Sequence, residues 1–306
     1  MTSTTNIIQL NKIEEIFNCD SKEINITNKI IKKYELNGTI NFEKYKNLKT
    51  LNVEGDIYRD ENTIRKFDFI NLILLEKINK INISDITLKK LNLPNNLNSL
   101  HIFGCDILDN TWIDNLPINL KICTLISTNI FKLDNLPLNL EYLYCSNNFL
   151  TQLDFLPEGL KYLYCSNNKI LSLDNLPNSL IYLDCSNNLI QKLDSLPNSL
   201  NQVFAKSNQI VSLQYLPPNI TRANFSYNPL ISKPNCKNSN SSILLLNYSL
   251  DNEKSSSTDK IIKSYNKITY GTYHTLKYGT YCIGIGFGLI GYIITSPIIY
   301  TLDLKI

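Results

Sequence analysis

The sequence predicts an elongated solenoid in which short repeats stack their strands into a curved parallel β-sheet, and three observations carry that expectation. Leu-Pro recurs at positions 116, 136, 156, 176, 196 and 216, a spacing of 20 residues without deviation. An earlier Leu93-Pro94 precedes the first of these by 23 residues. The most regular units are LPLNLEYLYCSNNFLTQLDF from Leu136, LPEGLKYLYCSNNKILSLDN from Leu156 and LPNSLIYLDCSNNLIQKLDS from Leu176, and they share one apolar pattern. A fixed period of this length marks a repeat architecture, because a lone unit cannot bury its apolar face.

Inside each unit lies the pattern LxxLxCxxNxL. Its columns are Leu140, Leu143, Cys145, Asn148, Leu150; then Leu160, Leu163, Cys165, Asn168, Ile170; then Leu180, Leu183, Cys185, Asn188, Ile190. Two later units keep the columns with drift, at Leu200, Val203, Ala205, Asn208, Ile210 and at Ile220, Ala223, Phe225, Asn228, Leu230. Upstream, Leu120, Cys123, Leu125, Thr128, Ile130 and Leu97, Leu100, Ile102, Cys105, Ile107 also fit, and Ile78, Ile81, Ile83, Ile86, Leu88 fits more weakly. Side chains alternate along a strand, so the fourth and sixth motif positions face inward and the third and fifth face outward. The Asn column is expected to turn inward after the strand and satisfy backbone groups that the turn leaves unpaired. Each return segment contains Pro, which disfavours a helix interior and drives the preceding residue to extended geometry. The back of each unit is therefore expected to be mostly extended or irregular.

The unit LPxxLxxLxCxxNxLxxLxx resembles the short Leu-Pro-containing leucine-rich repeats of bacterial effector proteins. It is also similar to the repeat proteins of large DNA viruses and of protists with AT-rich genomes. The resemblance covers residues 78–235 and implies a leucine-rich-repeat solenoid that engages a protein partner through its concave face. Some effector relatives add a ubiquitin-ligase domain whose catalytic Cys sits in Cys-x-Asp. Here Cys236 and Cys282 sit in CKN and CIG, so that activity does not carry over.

Composition narrows the function classes. The net charge is +3, and Arg59, Arg65 and Arg222 are the only arginines, which argues against a nucleic-acid binder. Two histidines, His101 and His274, leave no His-rich metal site or His-based catalytic pair. No cofactor, metal or catalytic residue is expected. The N-terminus lacks a basic segment followed by an apolar one, so no secretory signal is read. Eight cysteines then suggest reduced thiols and a cytoplasmic or cytosol-facing setting. Cys145, Cys165 and Cys185 occupy inward positions, where a thiol packs as a small hydrophobe. Asn is over-represented at 43 residues, a bias that AT-rich codons also produce.

Candidate binding residues lie at the outward strand positions. Tyr142, Tyr162 and Tyr182 form one column, and Tyr144, Tyr164, Asp184 and Phe204 form the next. Strands about 4.8 Å apart would stack these rings as two ladders on the concave surface. Aromatic rings commonly anchor protein interfaces. Charges around them are mixed, from Glu141, Lys161, Asp184, Lys206 and Arg222.

Both ends depart from the repeat. Residues 1–77 read as an N-terminal cap with one degenerate unit at Leu48, Leu51 and Val53, and residues 236–277 read as a Ser/Asn/Lys-rich linker. Residues 278–302 contain no charge, follow Lys260, Lys263, Lys267 and Lys277, and pair Gly284 with Gly288 as GxxxG. That tail suits either a transmembrane anchor or a C-terminal cap, since Ile283, Ile285, Phe287 and Leu289 also alternate with glycines at strand period. The leading functional expectation is a non-enzymatic protein-binding module. The alternatives are a tail-anchored adaptor and a ubiquitin-ligase-like effector, the last lacking a base near either candidate Cys.

Overall fold

The computed structural model describes residues 16–34, 39–55 except 43, 66–71 except 68, 75–231 except 214 and 215, and 245–250. The strands run in chain order as β1 (Glu23–Ile26), β2 (Thr39–Asn41), β3 (Thr50–Glu54), β4 (Lys66–Phe67), β5 (Phe69–Asn71) and β6 (Lys80–Ser84). They continue as β7 (Thr87–Leu88), β8 (Leu91–Asn92), β9 (Ser99–Phe103), β10 (Asp106–Ile107) and β11 (Ile122–Ile126). The regular repeats supply β12 (Tyr142–Tyr144), β13 (Tyr162–Tyr164), β14 (Tyr182–Asp184) and β15 (Gln202–Phe204), followed by β16 (Arg222–Leu230) and β17 (Leu245–Leu250). One helix, α1 (Asn28–Tyr34), follows β1.

An 11-stranded parallel sheet in the order β1-β3-β6-β9-β11-β12-β13-β14-β15-β16-β17 forms one wall of the solenoid. The predicted columns are its buried face. Leu143, Cys145, Leu163, Cys165, Leu183, Cys185 and their counterparts Ile81, Ile83, Leu100 and Ile102 are fully buried. The sheet extends beyond residues 78–235 on both sides. The segment read as an N-terminal cap contributes β1 and β3, and β17 pairs with β16 inside the stretch whose composition reads as linker. Cap and linker compositions concealed these strands because they break the 20-residue period. The strands themselves keep the alternation, as Ile24, Ile26, Leu51 and Val53 show.

Leu-Pro has a local cause. In successive units the Pro carbonyl accepts from the amide three residues on, as in Leu140 N to Pro137 O at 3.1 Å, Leu160 N to Pro157 O at 3.0 Å and Leu180 N to Pro177 O at 3.1 Å. Pro needs no donor there, and the turn delivers Leu into the core just before the strand. Among the described residues the back of the regular units has no helix or strand, as expected from the Pro spacing. The N-terminal turns differ. Two further three-stranded parallel sheets, β10-β7-β4 and β2-β5-β8, line their other sides. A 3₁₀ segment, Asn110–Asn115, then covers the back with Trp112, its start capped by the Asp109 side chain accepting from Thr111 N at 3.0 Å.

The Asn-Asn pair after each regular strand divides two tasks. The first residue adopts a left-handed backbone, with φ of 59° at Asn147, 56° at Asn167 and 55° at Asn187. Asn tolerates this region because its short polar side chain compensates locally. The second Asn is buried and bridges two repeats. Asn168 Nδ2 donates to Cys145 O and to Cys165 O, each at 3.0 Å, while its Oδ1 accepts from Leu150 N at 3.0 Å. Asn188 and Asn208 repeat the pattern with Ile170 N and Ile190 N. Upstream, Thr128 and Cys105 stand in the column instead, and the Thr128 amide donates to Asn148 Oδ1 at 2.9 Å.

Asn168→Leu should therefore lower stability by about 2–4 kcal/mol, since several buried backbone groups lose their partners at once. Urea unfolding checks this, and a midpoint equal to wild type would remove the Asn column from the account. Ser207 carries the same left-handed φ, 55°, without the Asn side chain. Ser207→Asn should raise stability by about 0.5–1 kcal/mol in the same titration.

Candidate functional site

The outward face of the sheet presents two columns fixed by strand register. One runs through Ser99, Ile122, Tyr142, Tyr162, Tyr182, Gln202 and Arg222. The other runs through Asn25, Asn52, Asn82, His101, Thr124, Tyr144, Tyr164, Asp184, Phe204 and Asn224. All seven predicted residues, Tyr142, Tyr144, Tyr162, Tyr164, Tyr182, Asp184 and Phe204, come together here, each half-buried.

The rings do not form two separate ladders. Tyr142 and Tyr162 stack at 4.7 Å and 3°, and Tyr144 and Tyr164 stack at 4.6 Å and 11°. Tyr182 then crosses over: its centroid lies 6.4 Å from Tyr162 but 4.5 Å from Tyr164 and 5.6 Å from Phe204. The reason is Asp184, which puts a small side chain where the second column would carry a ring. Tyr182 leans across that gap and joins Tyr144, Tyr164 and Phe204 into one continuous stack. Stacked rings at this spacing turn their edges and hydroxyls outward, so the surface offers hydrogen-bonding edges as well as apolar area.

Burial sets the electrostatics of this patch. It pushes the phenols of Tyr144, Tyr164 and Tyr182 above their ordinary range and keeps them neutral. Burial likewise raises the Asp184 carboxyl, although its Oδ1 accepts from Ser186 N at 3.0 Å. At the border, Lys161 Nζ lies 2.7 Å from Glu141 Oε2, and this hydrogen bond is the main cause holding the Glu141 carboxyl below its usual value. Such an exposed pair adds little stability.

The other half of the face is more polar, although Ile122 and Phe103 also point outward there. Asn82 donates to Asn52 and Asn52 to Asn25, an amide ladder along the column. His101 sits between two hydroxyls, Ser99 Oγ at 2.7 Å from Nε2 and Thr124 Oγ1 at 2.9 Å from Nδ1. Asn25, Asn52, Asn82, His101 and Thr124 were legible by the rule that found the tyrosines, since each lies between two inward apolar positions. The irregular unit lengths hid them.

The thiols belong to the core. Cys123, Cys145, Cys165 and Cys185 are fully buried and free, and burial raises their pKa, that of Cys123 to about 12. They are protonated packing groups rather than thiolates. Among the described residues no cluster of three or more His, Cys, Asp or Glu could hold a metal ion. Cys236, Cys282 and residues 278–302 lie outside the described residues, and no described helix is long and apolar enough to cross a membrane.

His101 generates a pH prediction. Burial, assisted by the Lys80 charge, lowers its pKa from 6.5 to about 4. An unfolded chain binds the proton near pH 6.5 and the folded one does not, so stability is full above that value. It should fall as pH drops toward 4, by on the order of 3 kcal/mol. In His101→Gln this increment should vanish from the difference between pH 7 and pH 4 melting curves, and parallel curves for both proteins would contradict the assignment.

Residues 138–178 match the family model for leucine-rich repeats in two copies. No curated protein matches the chain. Among solved structures, the leucine-rich effector protein YopM of Yersinia pestis superposes with a TM-score of 0.52 and 28% identity, covering 63% of this chain and 58% of that one. The functional domain of InlJ from Listeria monocytogenes, which includes a cysteine ladder, gives 0.53 and 22% over 68% of this chain and 50% of that one. The chain thus spans less than two thirds of either structure. The repeats, the parallel sheet and these likenesses agree that the fold is a leucine-rich-repeat solenoid, resembling those of bacterial effector proteins.

Proposed function

We propose that this solenoid is a non-enzymatic interaction module that binds a protein partner through the aromatic half of its concave face. The continuous stack of Tyr144, Tyr164, Tyr182 and Phe204, flanked by Tyr142 and Tyr162, carries the reading. It is a contiguous aromatic patch, and such patches serve as anchors because they bury much area at low rotamer cost. Leucine-rich repeats are typical protein–protein interaction modules, and the likeness to a leucine-rich effector protein supports the same class. Buried free thiols suit a reducing, cytoplasmic setting. A tail-anchored form of the same module is favoured by the uncharged residues 278–302, and partition of the full chain between membrane and soluble fractions tests it.

A Tyr144→Ala, Tyr164→Ala, Tyr182→Ala triple variant should keep the fold and lose partner capture by at least 100-fold, since hot-spot rings contribute about 2 kcal/mol each. The control changes Asn175, Asn178 and Ser195, exposed on the opposite side, to Ala and should capture normally. Circular-dichroism melting and quantitative affinity capture on the same samples separate lost binding from lost structure. Undiminished capture by a folded triple variant would move the interface off this face.

A further inference from the structure

Asp184 stands within the aromatic patch, and among the described residues no Lys or Arg forms an ion pair with it. In register it lies between Tyr164 on β13 and Phe204 on β15, and the Tyr182 ring bridges those two. A carboxylate has about four acceptor sites. Ser186 supplies hydrogen bonds to this one from its amide, at 3.0 Å, and from its side chain. On the two following turns, the Lys206 ammonium sits 5.1 Å over the Tyr227 ring, and Arg222 belongs to the other column, two strands away. Removing a carboxylate from water beside three rings is costly unless a partner compensates it.

We infer that Asp184, with Tyr164, Tyr182 and Phe204 around it, is the receptor for an arginine side chain of the protein partner. The inference rests on the concave-face reading above. Charge complementarity selects a cation, and the rings select its type. A guanidinium is planar and weakly hydrated, forks onto a carboxylate with two parallel N–H donors and has further N–H groups to give to phenol oxygens at the outward ring edges. An ammonium is a hydrated point charge that loses more on entering such a pocket. Asp184 therefore sets the specificity within the patch, while the rings supply contact area.

The test is selection of a displayed random peptide library on the intact chain, repeated on Asp184→Asn and on the triple tyrosine variant. Asn is isosteric and can still accept from Ser186 N, and an unchanged melting curve confirms that the fold is kept. The expected result is that wild-type selection enriches peptides sharing one arginine. Replacing that arginine by citrulline should weaken synthetic copies at least tenfold on wild type and less than twofold on Asp184→Asn. Peptides that require the tyrosines but ignore both the citrulline exchange and Asp184→Asn would overturn the arginine receptor and leave the concave interface standing. Peptides indifferent to the triple tyrosine variant would overturn both. Preference for lysine over arginine at the shared position would also overturn the assignment.

Discussion

The buried asparagine column is the interaction on which the regular part of the molecule depends. Each amide donates to a carbonyl at the end of its own strand and to one in the preceding repeat, and accepts an amide from the return segment of that repeat. One side chain thereby fixes the distance and the register of two neighbours. With the register held, the same motif position recurs at every turn, and outward residues line up into columns. Backbone bonds such as Cys145 N to Tyr164 O and Asn147 N to Ser166 O continue the ladder past the strand ends, so the turn is as ordered as the sheet.

Where that column changes, the architecture changes with it. At Cys105 the thiol contacts Phe103 O at 3.3 Å and Ile83 O at 3.7 Å, far weaker bridges than an amide forms. The register partners Glu23, Thr50, Lys80, Ser99 and Ile122 are unevenly spaced in sequence, and these turns instead hydrogen-bond along their other sides through the two short sheets. Length alone does not set this, since the turn from Lys80 to Ser99 spans 19 residues, carries Pro94 and still supplies β7 and β8. Gly55 shows how closely the irregular turns pack, since a Cβ there would lie 1.9 Å from the Asp85 carbonyl oxygen.

The aromatic face is a consequence of the same register. Parallel pairing at equal heights lets identical side chains stack, which is why Tyr142 meets Tyr162 and Tyr144 meets Tyr164 with nearly parallel rings. A single break in the repetition, Asp184, redirects Tyr182 and creates the one place on the stack that combines a carboxylate with three rings. Uniform repeats make a uniform surface, and the departure at Asp184 gives it one charged position.

The inward and outward assignment from Leu97 to Leu230 followed from sequence alone, because strand alternation and a constant period leave one consistent choice. So did the burial of Cys145, Cys165 and Cys185 and the extended backs of the Pro-containing units. Tertiary structure decided what depends on neighbours beyond one period. The strands β1, β3 and β17 pair with the sheet although their spacing is irregular, since hydrogen-bonding edges accept any strand of matching pattern. The path of Tyr182 depended on the space beside Asp184, and the neutrality of His101 depended on burial between Ser99 and Thr124. Sequence periodicity specifies which way a side chain points, but the packing of adjacent turns determines what it meets.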